Sequence, residues 1–443
     1  MLDTNQNISS KIERDLLSNI NLSKGFKIWM GILTISLLAC LSAYYTQLRV
    51  GLGVTGLGDY VSWGMYISNF VFFVATSLIG MLISAVLGLS GQKWITPITR
   101  IAEFIALAFA MVAGLVIVSD MGRPERLINV FIHGRFQSPI LWDVTVVSTY
   151  VAISALLLYL PMIPDLAICH QKLEKIPKLL RKAYKILSLN WVGTKEQKAL
   201  ILRLVRILLI LVIPVAFAIH TVTSWLFAVT PRVGWNSTIF GPYFISGAFV
   251  SGTAAVIIAM FFYRTNFKLQ DYITEKHFNL MGKLLFLVSL IYFYFNLNEF
   301  LVPGYKLMKH DAIHLEALFS GRYAPLFWSV QILGLIIPMI LLLLPKFRKP
   351  LPMLMIGMAV LLGSWFKRFL IVVPTMEHPY LPIQHVPDRF KLYSPTLMEI
   401  AITMASFILV LIIITVLSKL FPVVPVYETI HEKQAELVGE KPE

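Results

Sequence analysis

Residues 136–167 read FQSPILWDVTVVSTYVAISALLLYLPMIPDLA. A run of roughly 20 apolar residues crosses a bilayer core of about 30 Å, and this stretch qualifies as a transmembrane helix near 140–164. One carboxylate, Asp143, lies a turn inside its start. Similar runs fall near 28–48, 65–89, 98–119, 204–229, 242–263, 280–300, 325–345, 351–374 and 397–420. Together they predict an all-α integral membrane protein of about ten transmembrane helices. Only 14% of the chain is charged, against about one quarter in a soluble domain. No soluble catalytic domain remains. The predicted organisation is a basic N-terminal arm over 1–27, a membrane domain over 28–420 and an acidic, solvated tail over 421–443.

The net charge of +14 raises a nucleic-acid reading, which the charge pattern rejects. Basic residues sit in alternate loops: the arm, 90–97, 165–203, 264–279 and 346–350. The positive-inside rule then places both termini in the cytoplasm. Residues 10–27 read as a surface helix or a flexible arm, and no cleavable signal is evident. Cys40 lies in the first span and Cys169 in a cytoplasmic loop, so no disulfide is expected. The chain has too few cysteines for a four-Cys iron–sulfur cluster and lacks the CxxCH of c-type haem.

Charge inside hydrocarbon is costly and marks a pathway, a partner or a ligand. With this topology Asp143, His220, Glu299, Lys367 and Arg368 all fall toward the outer ends of their spans. Thr223 and Ser224 share a helix face with His220. Each residue also has a plainer reading. Asp143 can be a first-turn carboxylate stabilised by the helix dipole. His220 can be a packed histidine bonded to a neighbouring helix, and Glu299 can neutralise Lys367 or Arg368. Glu103, toward the cytoplasmic side, either snorkels, the favoured reading, or begins a proton route. Only His220 among the histidines lies well inside a span. Bis-histidine haem ligation within the membrane is therefore not expected. His310 and His314 are spaced for a metal, but no third ligand supports one. No metal site is predicted.

The ordered strings GDYVSWG (58–64), GRP (122–124), SPILWD (138–143), IPDLA (163–167), HTVTSW (220–225) and GPYF (241–244) resemble the NrfD-like family of polysulfide reductase membrane subunits. The resemblance covers about residues 50–300 and is nearest to ten-span members of alternative complex III and related quinol-linked complexes. It implies two four-helix bundles, spans 2–5 and 6–9, with two peripheral helices. It also implies a bound quinone, by expectation menaquinone, near the outer face, with no redox cofactor on the chain itself. Electrons would pass to or from a ferredoxin-like iron–sulfur protein there. A cytochrome c, a molybdopterin-family protein and a second NrfD-like chain are further partners implied, in a bacterial or archaeal cytoplasmic membrane.

By the same resemblance Asp143 and His220 match the quinone pocket, with Trp142 and His133 as further lining candidates. Glu103, Glu299, Lys367 and Arg368 are candidates for a proton path. Two departures remove titratable groups: Leu78-Ile79-Gly80-Met81 stands where relatives carry a His-Ala-Gly-Thr stretch, and Gly234-Trp235-Asn236 where they carry Gly-Trp-His. Two other functions compete. A secondary transporter would favour a midplane site and mid-span breaks in matching halves, and Pro214 and Pro338 do not correspond. An inert anchor would explain the lost histidine.

Overall fold

The computed structural model describes residues 2–20, 23–173, 176–379, 387 and 390–438; His385 and the last residues of the tail lie outside them. The helices are α1 (Leu2–Leu17), α2 (Lys24–Val50), α3 (Met65–Ser77), α4 (Thr96–Ser119), α5 (Asn129–Ile132), α6 (Pro139–Lys172), α7 (Lys178–Leu187) and α8 (Lys195–Ala228). They continue as α9 (Phe240–Asn266), α10 (Glu275–Lys306), α11 (Lys309–Phe319), α12 (Ala324–Gln331), α13 (Ile337–Leu343), α14 (Pro350–Glu377), α15 (Leu397–Leu420) and α16 (Val426–Val438). Ten stretches among the described residues are long and apolar enough to cross a membrane.

Burial follows composition. Every residue of α3 is buried, because this mostly apolar helix packs on α4, α9 and α14 and Asn69 is satisfied by Thr403 and Trp365. The helices α3, α4, α6 and α8 pack around one another, as do α9, α10, α12–α13 and α14. Contacts of α3 with α9 and α14 join the two groups, while α2 and α15 pair at the side. Small residues allow the closest approaches. A Cβ on Gly363 would stand 2.6 Å from the Cα of Gly334, where a π-helical segment, Ile332–Ile336, joins α12 to α13. A second π segment, Met81–Leu87, ends the α3 span.

Several boundaries differ from expectation. Helix α6 runs through Pro161 and Pro164 to Lys172, since neighbouring helices can satisfy backbone groups freed by proline. Helix α8 starts at Lys195, where Thr194 and Gln197 form a capping box. The long basic loop is thus mostly helix. The described part of the tail packs on the protein. Val426, Thr429 and Ile430 of α16 are buried on one face, and Gln434 donates to Ser9 Oγ of α1 at 3.0 Å. Ile12, Leu16 and Leu17 of α1 are buried as well. The two terminal helices therefore dock at one end of the molecule.

Candidate functional site

At the opposite end, α6 and α8 each turn a polar-tipped stripe inward. Asp143, Val147, Tyr150 and Ser154 form the buried face of α6, at the spacing of one helix face. Ala216, Ile219, His220, Thr223 and Phe227 form that of α8. The two stripes meet: Thr223 Oγ1 donates to Asp143 Oδ1 at 2.6 Å. His220 is one turn from Thr223 and almost fully buried. Its Nδ1 lies 3.0 Å from the Ala216 carbonyl, which only accepts. Nδ1 therefore carries the proton in the neutral ring, leaving Nε2 as an acceptor. Nε2 is buried without a well-aligned hydrogen bond, and the Val74 and Ala75 carbonyls of α3 stand beside the ring. Asp143 and Thr223 thus tie α6 to α8, while the His220 ring, one turn along α8, lies against α3.

The opposing wall is apolar and tight. Leu78 is fully buried, and the π segment packs on α8. Tyr150 Oη donates to the Ser77 carbonyl at 2.6 Å. Trp142 and His133 are not brought into this interface. Trp142 is partly exposed, with its indole N–H bonded to the Phe136 carbonyl and its ring edge-on to Trp225. His133 is exposed beyond the end of α5.

The other charges belong to the second helix group, with Arg368 near enough to His220 for their charges to interact. Lys367 Nζ sits over the rings of Phe300, Phe327 and Tyr243, 4.6, 5.6 and 5.8 Å from their centres. Arg368 lies 5.0 Å over Phe244. The quadrupole of an aromatic face attracts a cation, so aromatic rings as well as the nearby Glu299 carboxylate offset the Lys367 charge. Among the described residues neither cation forms an ion pair. Glu299 is buried with Oε2 unpartnered. It lines a cavity of about 30 Å³ with Lys367, Tyr243, His314, Asp311 and Thr375, space for a water or two. His314 Nδ1 and Thr375 Oγ1 also lack partners there. The sequence pattern places His314 in an outer loop, but α11 folds back and buries it. Burial, reinforced by His378 and Lys367, pushes its imidazole down to about 4.

Glu103 does not snorkel. It is buried in α4 and accepts from Ser84 Oγ at 3.2 Å, because the helices around α4 leave its carboxylate no route outward. One turn away is an ion pair that the sequence pattern does not reveal. Arg100 meets Asp165 at 2.5 Å, both buried. Asp165 also accepts from the backbone N–H groups of Val426 and Tyr427, at 3.1 and 2.8 Å. It thereby caps α16. A second such hub is Glu399, which accepts from Tyr393 Oη at 2.5 Å and from the Gly56 backbone N–H at 2.8 Å. No three His, Cys, Asp or Glu side chains among the described residues group as metal ligands.

Residues 53–378 match the family described as "Polysulphide reductase, NrfD", which extends past residue 300, where the sequence motifs thin out. The chain is 26% identical over 420 residues to a selenate reductase subunit of Mesobacillus selenatarsenatis, covering 92% of this chain and 96% of that one. It is 23% identical over 406 residues to the Hdr-like menaquinol oxidoreductase integral membrane subunit of Archaeoglobus fulgidus, covering 89% and 93%. A protein of Halobacterium salinarum named for a membrane subunit of dimethyl sulfoxide reductase is 31% identical over 231 residues, 52% of this chain and 50% of that one.

Proposed function

The chain belongs to the polysulphide reductase NrfD family, and on that footing we propose that it is the quinone-reactive membrane subunit of a larger oxidoreductase complex. The names of its menaquinol- and selenate-linked relatives support a menaquinone-class ligand and partner chains. The partner expected at the outer face is an iron–sulfur protein, with cytochrome c, molybdopterin-family and second NrfD-like chains as further members of the complex. The single observation that carries the reading is the buried Thr223–Asp143 hydrogen bond between α6 and α8, with the buried His220 one turn away on α8.

A bound quinol supplies two electrons and two protons. His220 Nε2 is the acceptor for one hydroxyl hydrogen. Asp143 takes a proton at the carboxylate, with Thr223 holding its orientation. A positioned acid or base contributes typically 10²–10⁴-fold. Asp143→Asn should therefore lower quinol-dependent electron transfer by the purified complex about 100-fold, with assembly unchanged. Wild-type rates in an assembled Asp143→Asn complex would remove Asp143 from the reaction. The cavity at Glu299, Lys367 and His314 is the corresponding candidate for proton movement, with Glu103 near the other end; Arg368 lies outside the cavity lining.

An inert anchor is the second reading, favoured by the buried Leu78 in place of a titratable residue. It predicts that Asp143→Asn and His220→Gln leave turnover unchanged while deletion of the chain abolishes assembly.

A further inference from the structure

Helices α6 and α8 each contain 34 residues, roughly 51 Å at 1.5 Å per residue, so they outrun a bilayer core of about 30 Å. The excess lies at the end that holds the terminal helices. There Tyr184 Oη of α7 donates to the Leu420 carbonyl at 2.7 Å, and Trp191 stands edge-on to Tyr427 of α16. Helix α7, KLLRKAYKIL, thus runs beside the bundle where bilayer and water meet.

Its faces are divided three ways. Tyr184 is buried and Leu180 partly buried against the protein. Leu179 and Ile186 point away from it, 81% and 61% exposed, and the ridge continues through Leu189 and Val192 at 62% and 81%. Lys178, Lys182 and Lys185 form the third face and are exposed. Lys182, Lys185, Ile186, Leu189 and Asn190 line an open cleft between charge and ridge. No acidic residue occurs from 176 to 195. A helix of this pattern lies in the membrane interface, with its apolar side among acyl chains and its lysines at the headgroups.

We propose that α7 and the 188–192 turn form a docking surface for anionic phospholipid, the acyl chains covering Leu179, Ile186, Leu189 and Val192 and the phosphate meeting Lys178, Lys182 and Lys185. The charge is of the sign that such headgroups attract. The ridge separates this from a free-phosphate site, which needs no exposed leucine. An acidic protein segment would satisfy the lysines and leave the ridge against lipid tails of any kind.

The test uses the full chain, delipidated in detergent and equilibrated with mixed micelles of dioleoyl-phosphatidylglycerol and dioleoyl-phosphatidylcholine in equal amounts, with retained lipid measured by mass spectrometry. Wild type should retain phosphatidylglycerol in excess. The excess should fall about threefold or more in K178E/K182E/K185E and by a smaller factor in K182Q/K185Q, the milder variant kept in case the first does not fold. Undiminished excess in either folded variant overturns the proposal. So does full retention by L179S/I186S, which would reduce the patch to a phosphate site.

Discussion

His314 carries one of the clearest pH signatures. In the unfolded chain an imidazole binds a proton near pH 6.5, whereas in the folded protein burial holds it down to about 4. Above pH 6.5 it is neutral in both states and contributes nothing. As pH falls from 6.5 toward 4 the unfolded state alone gains the proton, so stability declines, by on the order of 3 kcal/mol at most. His314→Gln should flatten the loss of thermal midpoint between pH 7 and pH 4.5. An equally steep loss in that variant would contradict the assignment. Asp143 and His220 are legible in the sequence because topology assigns them a common depth and Thr223 a common face. His314 is not, because nothing local in KHDAIHLEALF (309–319) announces that α11 turns back over the bundle. The Arg100–Asp165 pair is hidden for a related reason: two residues 65 positions apart, one near the start of α4 and one toward the end of the antiparallel α6, share no local pattern.

At the scale of elements, the ten spans can be read from apolar runs alone, and their ends cannot. Helices α6 and α8 extend into polar sequence because capping and packing continue past the hydrophobic run. Helix α16 is hidden by its acidic residues, since among its described side chains Val426, Thr429 and Ile430 mark the buried face. Its anchor is Asp165. Removing one partner of a buried ion pair costs about 3–5 kcal/mol, and Asp165→Asn should in addition loosen the cap on α16. Limited proteolysis should then clip the C-terminal helix much faster than in wild type; equal rates would show that α16 docks by its apolar face alone. The Gly334–Gly363 contact is the counterpart in the second helix group. Gly363→Val puts a side chain where 2.6 Å is available, and overpacking of this kind costs about 1–3 kcal/mol. The variant should melt at lower temperature, and an unchanged midpoint would mean that α14 shifts without penalty.

For the whole molecule, the polar groups sort by end. Asp143, His220, Glu299 and Lys367 gather opposite the terminal helices, while Arg100, Asp165, Glu103 and α16 close the terminal end. The grouping at the far end divides in two. One part is Asp143 bonded to Thr223 between α6 and α8, with His220 a turn away; the other is an aromatic-caged ammonium near the Glu299 carboxylate and a small cavity. Proximity in depth makes them look like one cluster in the sequence; the fold assigns them to two helix groups, with Arg368 close to His220 where the groups meet. The basic loops lie on the terminal end, so a reporter fused after residue 443 should be active as a cytoplasmic fusion. Activity only as an exported fusion would invert the orientation and every outer-face assignment with it.

The central claim is that quinone meets the α6–α8 interface. Photolabelling the intact complex with an azido-menaquinone analogue, followed by peptide mapping, tests it directly. Label should fall on peptides from 139–150 and 216–227, competed by unlabelled menaquinone and lost in Asp143→Asn/His220→Gln. Competable label confined to α9, α10 or α14 would contradict it.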